Sequence, residues 1–117
     1  MSYLTLSRQY RPKAFDEILG QEGVDIIYGD AGNDVVNSGD DNDLVFGGLG
    51  NDIIYGGNGE NSLYGELGND FVIGGDENDI INGGDGDDVL LGGAGDDTIT
   101  TGLGNDTIIF RSGDGSD

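Results

Sequence analysis

The sequence predicts an all-β chain wound as a parallel solenoid, with two nine-residue blocks in each 18-residue coil and about five coils in all. Three observations carry this expectation. From Gly20 to Ile109 the chain divides, without insertion, into ten consecutive blocks of nine: GQEGVDIIY, GDAGNDVVN, SGDDNDLVF, GGLGNDIIY, GGNGENSLY, GELGNDFVI, GGDENDIIN, GGDGDDVLL, GGAGDDTIT and TGLGNDTII. The eighth column is aliphatic in all ten blocks: Ile27, Val36, Val45, Ile54, Leu63, Val72, Ile81, Leu90, Ile99 and Ile108. Glycine fills the first column eight times, the second seven times and the fourth eight times.

Each block therefore reads as a six-residue glycine-rich turn followed by three residues of strand-forming type. A strand that short cannot bury its apolar face alone, so the blocks must stack, each coil covering the aliphatic side chains of the last. Hairpins are the competing arrangement, because Asn58-Gly59 and Asn82-Gly83 resemble turn dipeptides, but strands of three residues at this regularity make poor hairpins. Glycine suits a turn in which several successive carbonyls point into one space, a backbone that a Cβ would forbid. Asn recurs in the fifth column (Asn33, Asn42, Asn51, Asn69, Asn78, Asn105), where tolerance of left-handed backbone is the expected reason.

Charge narrows the function. The chain of 117 residues holds 24 acids and 4 bases, for a formal charge of −20, with no cysteine and no histidine. These counts exclude a disulfide framework, a zinc site, and Cys or His catalysis, leaving no base or nucleophile for an enzyme. The bases Arg8, Arg11, Lys13 and Arg111 lie near the ends, so the 22 acids between Ala14 and Phe110 have no internal counter-charge. Phosphate backbones and anionic membranes are repelled, and cations are the natural partner.

The sixth column shows where cations would go. It is Asp in nine blocks (Asp25, Asp34, Asp43, Asp52, Asp70, Asp79, Asp88, Asp97, Asp106) and Asn61 in the tenth. Calcium takes six to eight oxygens at roughly 2.3–2.6 Å, which one turn cannot supply and two stacked turns can. An EF-hand is excluded, because runs such as Asp85-Gly86-Asp87 lack flanking amphipathic helices and a closing Glu. The pattern GGxGxDxUx resembles the hemolysin-type, or RTX, calcium-binding nonapeptide repeat family over residues 20–109. That resemblance implies a right-handed parallel β-roll with calcium between stacked turns. Its ligands would be the nine Asp side chains and backbone carbonyls, among them those of Gly32, Gly47, Gly50, Gly65, Gly68, Gly83, Gly86 and Gly104. It implies several ions, up to about eight for four gaps on each of two edges. It also implies an extracellular, non-enzymatic module of a secreted protein that binds neither nucleic acid nor membrane. With so many acids and no base, the expected metal-free chain is disordered and coils as calcium binds.

Alternate blocks share an edge. Turns opening at residues 29, 47, 65, 83 and 101, the first edge, all keep Gly fourth and Asp sixth. Turns opening at 20, 38, 56, 74 and 92, the second edge, carry Asp41 and Glu77 in place of the fourth glycine and Asn61 in place of the sixth Asp. The first edge is expected to bind more tightly, with Asn61 weakening both gaps it borders.

Residues 1–19 stand outside the repeat, and a short helical cap is expected around Lys13 to Leu19, stopped by Gly20. Tyr10-Arg11-Pro12-Lys13, Phe15-Asp16-Glu17 and Gly20-Gln21-Glu22 resemble the N-terminus of bacterial DNA polymerase III gamma/tau clamp-loader subunits over residues 1–24. The alternative reading is a fragment of such a subunit without its ATPase machinery, since no GxxxxGK[ST] loop is present. The tail, residues 110–117, resembles the segment that often follows such repeats.

Overall fold

The computed structural model describes residues 4–8, 15–19 and 23–110. Among them every helix or strand is a strand. One sheet holds β1 (Leu4–Arg8), β3 (Val24–Tyr28), β5 (Leu44–Phe46), β7 (Ser62–Tyr64), β9 (Ile80–Asn82) and β11 (Thr98–Thr100). The other holds β2 (Phe15–Leu19), β4 (Asn33–Asn37), β6 (Ile53–Tyr55), β8 (Phe71–Gly75), β10 (Val89–Gly93) and β12 (Thr107–Ile108). Successive strands alternate between the sheets and every pairing is parallel, so the chain is the expected solenoid of about five coils.

The eighth column makes the core. Ile27, Val36, Val45, Ile54, Leu63, Val72, Ile81 and Leu90 are all fully buried in one cluster, with Ile99 packed against its end. With one inward aliphatic per block, a single file of side chains from the two sheets fills the interior. On the outer face of the first sheet the ninth column stacks coil upon coil. Tyr28, Phe46 and Tyr64 lie ring on ring, with centroids 5.3 and 5.2 Å apart.

The N-terminal segment corrects one expectation. Phe15–Leu19 is strand β2, not part of a helical cap, and it pairs in register with β4 18 residues on, Asp16 against Asp34 and Ile18 against Val36. Lys13 and Ala14, and the clamp-loader-like Tyr10 to Pro12, lie outside the described residues, as does the tail from Arg111. Phe15, Ile18 and Leu19 fit a helical face as well as a strand, but a helix this short is marginal alone, while an open strand of the next coil offers backbone partners. The sequence held the signal, because Asp16 and Ile18 fall nine residues before Asp25 and Ile27. Glycine-poor columns hid it. The strict period ends one strand earlier: β1 begins eleven residues before β2, whereas β3 begins nine before β4. β1 accordingly pairs with β3 at an offset of 20, Leu4 against Val24.

Candidate metal centre

The turns owe their shape to backbone handedness in the second and fourth columns. Gly86, in the fourth, has φ of +114°, and Gly48, in the second, has φ of +91°. Four acids adopt the same region: Asp30 and Glu66 in second-column places on the first edge, and Asp41 and Glu77 in fourth-column places on the second. The first edge is thus less uniform than its fourth and sixth columns indicate. Among the described residues each edge carries two side chains in a backbone region that favours glycine.

First-column glycines are needed for a different reason, close approach. A methyl group on Gly47 would meet Asp52 Oδ2 at 2.7 Å and the Gly65 carbonyl oxygen at 2.8 Å. One on Gly74, on the second edge, would meet Asp79 Oδ2 at 2.6 Å and the Gly92 carbonyl oxygen at 2.7 Å. The space that the missing side chain leaves is therefore walled by oxygens from two successive coils. Fourth-column carbonyls face the neighbouring turn in the same way, since a methyl on Gly68 would collide with the Gly50 carbonyl and one on Gly86 with that of Gly68.

The sixth-column side chains form a buried file along each edge. On the first edge Asp34, Asp52, Asp70 and Asp88 are 1–2% exposed, and Asp106 is half-buried. On the second edge Asp43, Asn61, Asp79 and Asp97 are buried. Of Asp25 only the backbone, in β3, is described. Each file is tied by one repeating hydrogen bond. The Asp34 N–H donates to Asp52 Oδ1 and the Asp52 N–H to Asp70 Oδ1, both at 2.8 Å, and Asp70 and Asp88 donate likewise to Asp88 and Asp106. The second edge repeats this from Asp43 through Asn61 and Asp79 to Asp97.

In four of these carboxylates one oxygen is thereby used and the other is not. Asp52, Asp70, Asp79 and Asp88 each keep an Oδ2 that is buried without a hydrogen-bond partner. Burial raises these carboxyls foremost, Asp52 to about 8 and Asp70 and Asp79 to about 7, against a normal value of 3.8. The like charges one coil away add to the rise, while the hydrogen bond from the backbone opposes it. Buried acceptor oxygens in file, beside carbonyl oxygens and with no base among them, fit a hard cation that takes oxygen ligands. Among the described residues no three acids converge on one point, so carbonyls would have to complete any shell.

The fifth column corrects a second expectation. No Asn among the described residues has a left-handed backbone. Instead the side chains build an outer ladder that runs opposite to the inner one. The Asn51 N–H donates to Asn33 Oδ1, Asn69 to Asn51, and Asp87 to Asn69, all at 2.8 Å. Asn is used here for its carbonyl oxygen, which Asp87 also supplies to the Asn105 N–H.

The fourth-column acids of the second edge also have a task the sequence did not show. Asp41 Oδ2 accepts from the Gly23 N–H at 3.0 Å, and Glu77 Oε2 from the Gly59 N–H at 3.2 Å. On the first edge the corresponding Gly68 and Gly86 N–H groups donate to the backbone carbonyls of Asp85 and Leu103.

A family model, the RTX calcium-binding nonapeptide repeat, matches residues 14–45, 37–72 and 73–108. Its first match includes β2, in agreement with the pairing of that strand. No curated protein and no solved structure gives a significant match. Nothing in the comparisons supports the clamp-loader resemblance of residues 1–24. The sequence pattern, the stacked coils and the family match agree, and the chain belongs to the RTX calcium-binding nonapeptide repeat family, whose membership implies calcium binding.

Proposed function

We propose that this chain is a non-enzymatic calcium-binding module whose folding is coupled to the metal. The carrying observation is that the buried carboxylates of Asp52, Asp70, Asp79 and Asp88 have Oδ2 atoms without a hydrogen-bond partner, each beside a carbonyl oxygen of the next coil. Asp34, Asp52, Asp70, Asp88 and Asp106 would hold ions in the gaps of the first edge. Asp25, Asp43, Asp79 and Asp97 would do so on the second. Carbonyls of Gly32, Gly47, Gly50, Gly65, Gly68, Gly83, Gly86 and Gly104 would complete the first-edge shells. Bound calcium supplies positive charge against carboxylates that otherwise repel one another in a poorly solvated file. The protein's part is to aim the oxygens: left-handed backbone turns the carbonyls inward, and the inner ladder holds each carboxylate in the gap. Ions number up to about eight, fewer on the second edge.

Without metal the same residues oppose folding, because closing the coils buries like charges in contact distance of one another. The chain is then largely disordered, and calcium binding and coiling are one event. The high calcium level outside cells suits such a switch, which supports an extracellular setting for the parent protein. Circular dichroism during a calcium titration, with a magnesium control, tests the reading. The expected result is a disordered spectrum in chelator that becomes β-rich with calcium only. A spectrum that is already β-rich in chelator and unchanged by calcium overturns it.

A further inference from the structure

In the middle of the second edge the turns carry proton donors where other turns carry acceptors. Asn61 is 1% exposed and keeps the inner ladder whole: its Oδ1 accepts from the Asp43 N–H and its own N–H donates to Asp79 Oδ1, both at 2.8 Å. That acceptor role fixes which way the amide points. Nδ2 therefore occupies the place of the Oδ2 of an Asp, and it faces the carbonyl oxygens of its own turn, Gly59 at 3.3 Å and Asn58 at 3.5 Å.

One coil earlier, Ser38 stands where the first column has glycine. It is fully buried, and its Oγ donates to the Gly56 carbonyl oxygen at 2.9 Å. Gly56 is the first-column residue of the Asn61 turn, and its carbonyl corresponds to those of Gly65 and Gly92, which elsewhere face an Asp Oδ2 across the cradle. Two departures from the repeat, 23 positions apart in sequence, thus place N–H and O–H protons on the carbonyl oxygens of a single turn, Ser38 reaching it from the coil before and Asn61 Nδ2 lying on its other side, in the cradle that the Gly74 carbonyl closes. Asn61 also breaks the file of buried anions. Asp43 and Asp79 are separated by two coils, whereas Asp34, Asp52, Asp70 and Asp88 follow coil by coil.

We propose that Ser38 and Asn61 form a hydrogen-bonded staple on the turn opening at 56 that takes the place of a cation on its two sides, Ser38 toward the turn opening at 38 and Asn61 toward the turn opening at 74. These coils close without metal and are the last part of the chain to lose order when calcium is removed. The inference rests on the calcium reading above, and deepens it by assigning two adjoining gaps in which protons stand in for an ion. Electropositive protons satisfy the turn carbonyls at no cost in charge, and one fewer carboxylate is buried.

Amide hydrogen exchange of the full chain in chelator, with native mass spectrometry in calcium, tests the staple. In metal-free wild type the slowest amides should include Ser38, Gly56 and Ser62, which donate to the carbonyls of Tyr55, Ile73 and Asp43. Asn61→Asp should speed these about tenfold and bind about one more calcium. Ser38→Gly changes no charge and should speed the same amides several-fold. Asp70→Asn, which carries the device to the first edge, should slow exchange of Gly65 and Phe71 in chelator and lower the calcium count. An Asn61→Asp chain with unchanged exchange and unchanged ion number overturns the staple, as does metal-free wild type in which Gly65 and Phe71 exchange as slowly as Gly56 and Ser62. A wild type that binds no calcium overturns the calcium reading instead, and the exchange ranking in chelator still decides for or against the staple.

Discussion

The two edges of the roll solve one packing problem differently. On the first, backbone meets backbone: Leu67 donates to the Gly48 carbonyl and Asp85 to that of Glu66, while Leu67, Asp85 and Leu103 form isolated parallel bridges. The third column there is mostly apolar and exposed, with Leu49, Leu67 and Leu103 from 47 to 72% exposed. On the second edge side chains take over part of this work. Asp41 and Glu77 carboxylates accept the fourth-column N–H groups, and Asn58 Nδ2 donates to Asp40 Oδ1. An acid in the fourth column is therefore occupied by the backbone of the preceding coil. If calcium binds as proposed, the acidity of the second edge should overstate its capacity for the metal.

The strongest test of the difference is removal of a sixth-column side chain from each edge. Asp70→Ala takes a carboxylate from two gaps and leaves the buried Asp52 N–H without its acceptor. It should lose about two ions and, in calcium, about 1–3 kcal/mol of stability from the orphaned N–H alone. Asn61→Ala should lose no ion. Titration calorimetry and thermal melts check both, and equal calcium loss in the two variants would remove the distinction between the edges.

Acidity should act next, and on both edges. A carboxyl raised in the folded state binds its proton more tightly there than in the unfolded chain, so protonation stabilises the fold. That contribution is fully present below about pH 4 and is lost as pH rises, through about 7 for Asp70 and Asp79 and about 8 for Asp52. Metal-free chain should accordingly gain order as pH falls from 8 to 4, while calcium affinity weakens over the same range because binding must displace these protons. Circular dichroism and calcium titration at several pH values measure the two trends, and calcium affinity that does not change between pH 8 and pH 5 would contradict the sign.

A smaller change should move the second edge toward the first. Glu77→Gly relieves a left-handed side chain, worth about 1–2 kcal/mol, and gives up one half-exposed hydrogen bond worth about 1 kcal/mol. Near-neutral stability with tighter calcium binding on that edge is expected, and a marked loss of stability would mean that the Gly59 hydrogen bond dominates. The least effect should come from the outer ladder, where Asn69→Ala removes one exposed acceptor from the Asp87 N–H. About 0.5–1.5 kcal/mol by denaturant melts, with the ion number unchanged, is the expected outcome.

The sequence by itself determined the period, the aliphatic file, the two-blocks-per-coil winding and the sixth-column carboxylates. These are local properties repeated along ten blocks: a turn that needs glycine, an acid at its end in nine of them, and a strand with one inward side chain. What tertiary structure decided lies across the gap between coils, mostly 18 residues away in the chain. Phe15–Leu19 joined the sheet because β4 offered it backbone partners. Fifth-column Asn proved to be an acceptor for the next coil, not a left-handed turn residue. Asp41 and Glu77 proved to serve the preceding coil's N–H groups. Asn61, read from sequence as a missing ligand, proved to carry an N–H donor facing two carbonyls of its own turn. A residue type shows which hydrogen bonds a side chain can make, and only the stacked coil shows which group stands opposite it.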